Sequence, residues 1–152
     1  MTAADYRSFH LMGDACECTD ELAQFLSVIA RGYCVDAGTY RGKSARALAV
    51  GAQRVDTLDP CPDCWAARPA MPPNVHAHQC LATDFIPSAK LDVLFIDSGL
   101  HSRLDDYRHL SQWMAPHGLV IIDDVNVLTP ELFAGRHAVL PYGSGVLVRR
   151  PG

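Results

Sequence analysis

Residues 33–44 read YCVDAGTYRGKS, and this stretch decides the fold. A short apolar run at 33–35 has strand character. An acid, Asp36, follows, and then a loop with glycines at 38 and 42 and a hydroxyl at Ser44. The next residues, SARALAVGA, are good helix formers, so the order is strand, glycine turn, helix. In such a unit the backbone N–H groups of the turn and of the helix N-terminus point into a crevice. Gly38 and Gly42 lack the Cβ atoms that would hold a ligand away from the main chain. A nucleotide-like ligand is the expectation.

Two chemistries compete for that turn. Residues 37–44, AGTYRGKS, satisfy a permissive phosphate loop with Ala first, in which Lys43 reaches β/γ-phosphates and Ser44 holds Mg²⁺. The rival ligand carries an amine and no phosphate. Asp36 favours the rival, because a carboxylate repels a triphosphate and attracts an ammonium group. Asp59 lies 21 residues after Gly38, at the end of the strand-like run 54–59, where a carboxylate can accept both hydroxyls of an adenosine ribose. A nicotinamide dinucleotide would share that acid, but it wants a glycine pattern that clears a pyrophosphate.

Taken together, DAGTYRGKS at 36–44, Asp59, and LDVLFIDSGLHSRLDDYRHLSQWMAPHGLVIIDDV at 91–125 resemble the class I S-adenosylmethionine-dependent methyltransferases. The branch resembled is the small-molecule O-methyltransferase one, whose fourth strand ends in an I-D-G-x-H type signature and whose fifth ends in a double Asp. The likeness spans residues 32–125. It implies an α/β fold: a doubly wound, Rossmann-like, mostly parallel sheet with a C-terminal antiparallel hairpin and trimmed helices. It also implies S-adenosylmethionine as cofactor. Asp36, Ala37, Gly38, Thr39, Tyr40, Gly42 and Ser44 would take the methionine part, Asp59 the ribose and Leu81 the adenine side, with Asp97 nearby. Asp97, Asp123 and Asp124 would hold a divalent cation such as Mg²⁺, which suits hard oxygen ligands. His101 and Asp97 stand in the catalytic positions, with His101 as the base of a metal-free variant.

The sequence departs from the branch at three places. Asp97-Ser-Gly-Leu-His101 is one residue longer than the commoner Asp-Gly-x-His, residues 81–84 lack the usual Gly-Asp, and prolines at 60, 62, 69, 72 and 73 leave room only for a helical stub at 63–68 where a full helix is usual. Trp65 in that stub reads as packing over the sheet edge before it reads as a shelf for adenine.

The composition is that of an ordinary globule: 152 residues, 49% hydrophobic and 20% charged, with a net charge of −4 and no basic run. Nucleic acid is not an evident partner, and a small-molecule substrate is. No stretch is long enough for a membrane span and residues 1–10 lack the apolar core of a signal peptide, so the cytoplasm is the expected compartment. Six cysteines are present. Cys34 and Cys80 read as buried small apolar residues in strands. Cys16, Cys18, Cys61 and Cys64 form two close pairs that, with His76 or His78, could hold structural zinc. The C-x-C half-site disfavours that reading against unligated thiols.

In chain order, residues 1–18 form an irregular lead-in and 19–152 a single domain. Thr19 with Asp20 and Glu21 reads as an N-cap and acidic first turn, and Leu22, Phe25, Leu26 and Ile29 recur at helical spacing. Helix 44–52, strands 54–58, 75–80, 91–97 and 119–122, a helical stripe through Tyr107, Leu110, Trp113 and Met114 closed by Pro116-His-Gly118, a short helix at 129–134 and a hairpin of 136–142 with 145–150 complete the reading. Asp105 and Asp106 read as a solvated helix start. The function expected is methyl transfer to an oxygen of a small molecule; because the short lead-in leaves the acceptor pocket unbuilt, either the substrate is small or large and external, a homodimer completes the site, or there is no catalysis. A non-catalytic cofactor-binding or interaction module and a phosphate-loop nucleotide-binding protein are the alternatives.

Overall fold

The computed structural model describes residues 18–63, 70–99 and 101–151. Residues 1–17 of the lead-in, with Cys16, and Cys64, Trp65 and most of the helical stub at 63–68 therefore lie outside the described residues. The elements are α1 Asp20–Ile29, β1 Tyr33–Ala37, α2 Lys43–Ala49, β2 Arg54–Leu58, β3 Val75–His78, β4 Leu91–Ile96, α3 Arg103–Leu110, β5 Met114–Asp123, β6 His137–Leu140 and β7 Val146–Arg149. Short 3₁₀ turns at Ala82–Asp84, Ser111–Trp113, Val125–Val127 and Pro130–Phe133 fill the connections.

Seven strands form one sheet in the order β3-β2-β1-β4-β5-β7-β6. The first five are parallel and the hairpin β6–β7 enters antiparallel beside β5. β1, β4 and the inner part of β5 are apolar on both faces because both faces are covered. Cys34, Val93, Phe95, Ile121 and Val146 point toward α1 and α2. Val35, Leu94, Ile96, Ile122 and Leu147 point to the opposite face, under α3 and the 3₁₀ turns. Among the described residues, cover on that second face comes from α3 and the 3₁₀ turns.

The strand order reverses between β1 and β4, and their ends are level. Ala37 of β1 stands beside Leu58 of β2 and Ile96 of β4, and Ile96 stands beside Ile122 of β5. The residues that leave these strands, Gly38, Asp59, Asp97 and Asp123, consequently emerge along one carboxyl edge. That edge, at a topological switch point, is where open parallel sheets bind ligands.

Three expectations need correction. Strand β5 starts at Met114 and not at Leu119: Trp113 closes a 3₁₀ turn, Met114 pairs with Leu91, and the register then slips so that Leu119 meets Val93. Pro116-His-Gly118 is the irregularity inside that strand, so the apolar stripe 107–114 spans two elements. Cys80 lies beyond the end of β3 and is half-buried. Asp106 is buried at the start of α3 and accepts a hydrogen bond from the Ser98 hydroxyl, so it is not a solvated residue.

Helix α1 begins as its sequence says. The Thr19 hydroxyl accepts from the Leu22 N–H at 3.2 Å, while Leu22, Ala23 and Leu26 face the core. Replacing Thr19 by Ala leaves that N–H without its cap and should cost ~1 kcal/mol in urea unfolding at unchanged m-value.

Candidate functional site

The loop after β1 is held from below. Asp36 has the same strand parity as Cys34 and points toward the N-terminus of α2, where it is fully buried. Ser44 donates to its Oδ1 at 2.9 Å and Thr57 to its Oδ2 at 2.6 Å. Thr57 Oγ1 also lies 2.6 Å from Thr39 Oγ1; since its own proton goes to Asp36, Thr39 is the donor of that pair. One carboxylate thus ties β1, β2, the loop and α2 together. Burial pushes the Asp36 carboxyl up to about 7, against the two hydroxyls that favour its charged form.

Above this anchor the backbone is tightly turned. Gly38, Tyr40 and Gly42 all have positive φ, at 114°, 45° and 92°. A Cβ on Gly38 would lie 2.5 Å from the Asp97 carbonyl oxygen and 2.9 Å from the Ser98 nitrogen, so only glycine lets the ends of β1 and β4 come this close. Tyr40, a non-glycine in the left-handed region, is held there by its N–H donating to Asp59 Oδ2 at 2.8 Å. The other oxygen of Asp59 accepts from the Cys61 N–H at 2.8 Å, which fixes the plane of that carboxylate at the mouth of the cleft.

A cavity of about 410 Å³ opens at this edge, lined by Gly38, Tyr40, Leu58, Asp59, Leu81, Asp97, Ser98 and Arg103 among others. Of the positions expected to meet the cofactor, Gly38, Tyr40, Asp59, Leu81 and Asp97 line it. Asp36, Ala37, Thr39, Gly42 and Ser44 do not. Asp36, Thr39 and Ser44 lie beneath it as supports, and Asp36 presents no carboxylate face to an ammonium group. A second cavity of about 440 Å³ adjoins on the α3 side, lined by His101, Arg103, Leu104, Asp105, Val127, Leu128, Thr129 and Leu132. His101 is therefore on this second cavity and not on the first, and Arg103 lines both.

The phosphate-loop reading fails on the two residues that define it. Lys43 is buried and its ammonium lies 2.7 Å from Asp20 Oδ1 of α1, while the Ser44 hydroxyl is engaged by Asp36. Neither reaches the cavity.

Arg103, the residue that sequence reasoning missed, dominates the acid rim. Only 4% exposed, it donates Nη2 to Asp97 Oδ1 at 2.9 Å and to Asp124 Oδ2 at 3.2 Å. Its Nη1 reaches the Asp123 carbonyl at 2.6 Å and its Nε the Ser98 carbonyl at 2.9 Å. Ligand oxygens of Asp97, Asp123 and Asp124 lie within 4.8 Å of one another, a grouping that by itself suits a divalent ion. The guanidinium stands among them, so the side chains as arranged do not fit a metal. Asp97 is pushed up to about 8, first by burial and then by the charge of Asp123, with Arg103 opposing. Asp123 shifts upward too, again mainly by burial. Asp124 sits in the left-handed region at φ 56°, a strained placement that turns its carboxylate toward Arg103.

Zinc finds no support among the described residues. Cys18 is packed in the apolar core with its thiol pushed far up by burial. His78 Nε2 lies 2.7 Å from the buried Asp56, with its ring tilted on Phe85.

A model of the methyltransferase domain matches residues 35–125. Solved structures share the fold: the O-methyltransferase from Bacillus cereus in complex with SAH (16% identity, 97% of this chain and 90% of that one, TM-score 0.77), and the O-methyltransferase TomG from Streptomyces achromogenes in complex with SAM (18%, 99% and 87%, 0.72). A methyltransferase from Geobacter sulfurreducens aligns similarly (18%, 98% and 88%, 0.73). No curated protein matches the sequence. Among the described residues no helix is long and apolar enough to cross a membrane.

The buried Asp36 carries a signed pH prediction. Its carboxyl lies at about 7 in the folded chain against an ordinary value of 3.8, so the unfolded chain gives up that proton first as pH rises. Stability from this group is complete below about pH 4 and is lost by about pH 7, on the order of 4 kcal/mol in all. The melting temperature of Asp36→Asn relative to wild type should therefore become more favourable from pH 4 to pH 7 and level off above. A gap that stays constant across this range would show that Asp36 ionises normally.

Proposed function

The chain belongs to the methyltransferase domain family, and from that premise we propose that it transfers the methyl group of S-adenosylmethionine to an oxygen of a small molecule. The single observation that carries this reading is the switch-point cavity. It is bordered by Gly38, by the fixed carboxylate of Asp59 and by Asp97, whose neighbour Arg103 is bound to the strand-end acids, and Lys43 is turned away to Asp20. Such a rim suits a ligand with an adenosine ribose and net positive charge near its sulfur. Gly38 and Tyr40 would border the methionine part, Asp59 would take the ribose hydroxyls, and Leu81, half exposed at the cavity edge, would cover one side of the adenine.

The adjoining cavity supports the acceptor side. Leu104, Val127, Leu128 and Leu132 offer an apolar wall, and His101 and Thr129 offer polar groups. A small molecule with an apolar body and a hydroxyl fits that mixture. The acceptor oxygen attacks the methyl carbon in line with the departing sulfur. The carbon–sulfur bond breaks with its electron pair left on sulfur, and the hydroxyl proton goes to His101. No step uses a metal. The cytoplasm as compartment and a homodimer that covers the open side of the two cavities belong to the same reading.

Calorimetric titration with S-adenosylhomocysteine is the first test. Wild type should bind it, Gly38→Ala should weaken it by at least ~tenfold because its Cβ would strike the Asp97 carbonyl, and ATP should give no heat. Methyl transfer to a panel of hydroxylated acceptors is the second. His101→Gln should lower kcat by about 10²-fold with cofactor affinity unchanged. Binding without transfer to any acceptor would favour a non-catalytic cofactor module.

A further inference from the structure

We infer that Arg103 takes, in this chain, the place that the resembled branch gives to a divalent cation, so that the strand-end acids are neutralised by a guanidinium built into α3 and the cleft binds no metal. Ion exclusion follows from side-chain geometry alone, whereas its bearing on methyl transfer rests on the reading above.

A hard cation needs several oxygens turned toward one point at short distance, near 2.0–2.1 Å for Mg²⁺. The three acids come close enough together to do this. Two of them instead converge on a single nitrogen, Arg103 Nη2, with Asp97 Oδ1 at 2.9 Å and Asp124 Oδ2 at 3.2 Å. The rest of the guanidinium is fixed by two backbone carbonyls, those of Asp123 and Ser98. Its four bonds reach the ends of both β4 and β5, so the side chain cannot leave without freeing acceptors on each. An entering ion would also meet the positive charge of the guanidinium itself. Two cations cannot share a cage this small.

The placement explains why Arg103 begins α3. As the first residue of the helix it leaves the turn that follows Asp97 and projects straight back over the ends of the strands. Its neighbour Asp106, one turn on, is drawn to Ser98 and leaves the guanidinium to Asp97 and Asp124. Arg103 also lines both cavities. On the methyl-transfer reading, a fixed positive group thus borders the acceptor oxygen where the branch would use an ion. Arg103 is then a positioning residue for Asp97 and Asp124.

The test is Mn²⁺ uptake followed by the loss of the free-ion paramagnetic resonance signal, together with melting temperatures in EDTA and in Mg²⁺. Wild type should take up no Mn²⁺ and should melt at the same temperature in both. Arg103→Met should melt lower in EDTA, bind one Mn²⁺ per chain at least ~tenfold more tightly than wild type, and recover part of its melting temperature with the metal. Adding Asp124→Asn to that variant should abolish the gain. Uptake of one Mn²⁺ by wild type, lost in Asp124→Asn, would overturn the inference, as would a folded Arg103→Met variant with unchanged melting and no uptake. Should Arg103→Met fail to fold, the wild-type titration still decides. Failure of the chain to methylate any acceptor, with Mn²⁺ still excluded, would strike the functional reading and leave this one intact.

Discussion

The missing side chain at position 38 is the constraint on which the rest of the molecule depends. Parallel strands β1 and β4 part at the switch point, and a cleft is available wherever they do. Its shape here comes from how closely the β1 turn rests on the carbonyl of Asp97, an approach that any Cβ would prevent. The tight turn in turn sets Tyr40 in the left-handed region, where its N–H meets Asp59, and so fixes the acid that borders the cavity. Beneath the turn the buried Asp36 draws Ser44 and Thr57 inward and joins three elements in one hydrogen-bonded unit. Cavity lining and structural support are thereby divided between the loop's upper and lower sides.

The acid rim shows a second division of labour. Three carboxylates at the ends of β4 and β5 would repel one another if left alone, and burial alone already makes Asp97 and Asp123 reluctant to ionise. A guanidinium with donors in a planar fork can meet two carboxylates and two carbonyls at once, which an ammonium could not do with the same geometry. Sequence segments far apart, the turn after β4 and the double Asp after β5, become one unit through Arg103.

Much of this was legible in the sequence, and the misses have physical causes. Strands β1, β2 and β4 announced themselves as short apolar runs ending in acids, and the hairpin as two runs around Gly143-Ser144. Parallel strands covered on both faces leave few other readings for such runs. The rim position of Gly38, Asp59 and Asp97 followed from topology, because every parallel strand ends on the same edge. Helical spacing misled at Trp113 and Met114, where a 3₁₀ turn passes directly into a strand and continues the apolar pattern across the junction. Asp36 read as an acid facing a ligand, whereas strand parity turns it under the helix; parity relative to Cys34 was the signal available. Arg103 was invisible because an arginine next to Asp105 and Asp106 reads as a solvated helix start. Only the fold reveals that its helix begins directly over two strand ends.

The phosphate-loop and adenosyl readings of residues 37–44 are equally good as text. They separate through partners far away in sequence: Lys43 is held by Asp20 and Ser44 by Asp36, so the residues that would define a phosphate cradle are used for packing. The cavity that remains is lined by Asp59, Asp97, Gly38, Tyr40 and Leu81, with the Arg103 guanidinium bound to its strand-end acids.

On the proposed function, this cleft holds an adenosyl compound with its sulfur end near Gly38 and its ribose on Asp59. A crystal structure of the chain grown with S-adenosylhomocysteine tests it most directly. Density should run from Gly38 along Asp59 toward Leu81, with Arg103 still bridging Asp97 and Asp124. A cavity left empty by that compound, with a nucleoside triphosphate bound there by a swung-out Lys43 in a parallel crystal, would contradict it.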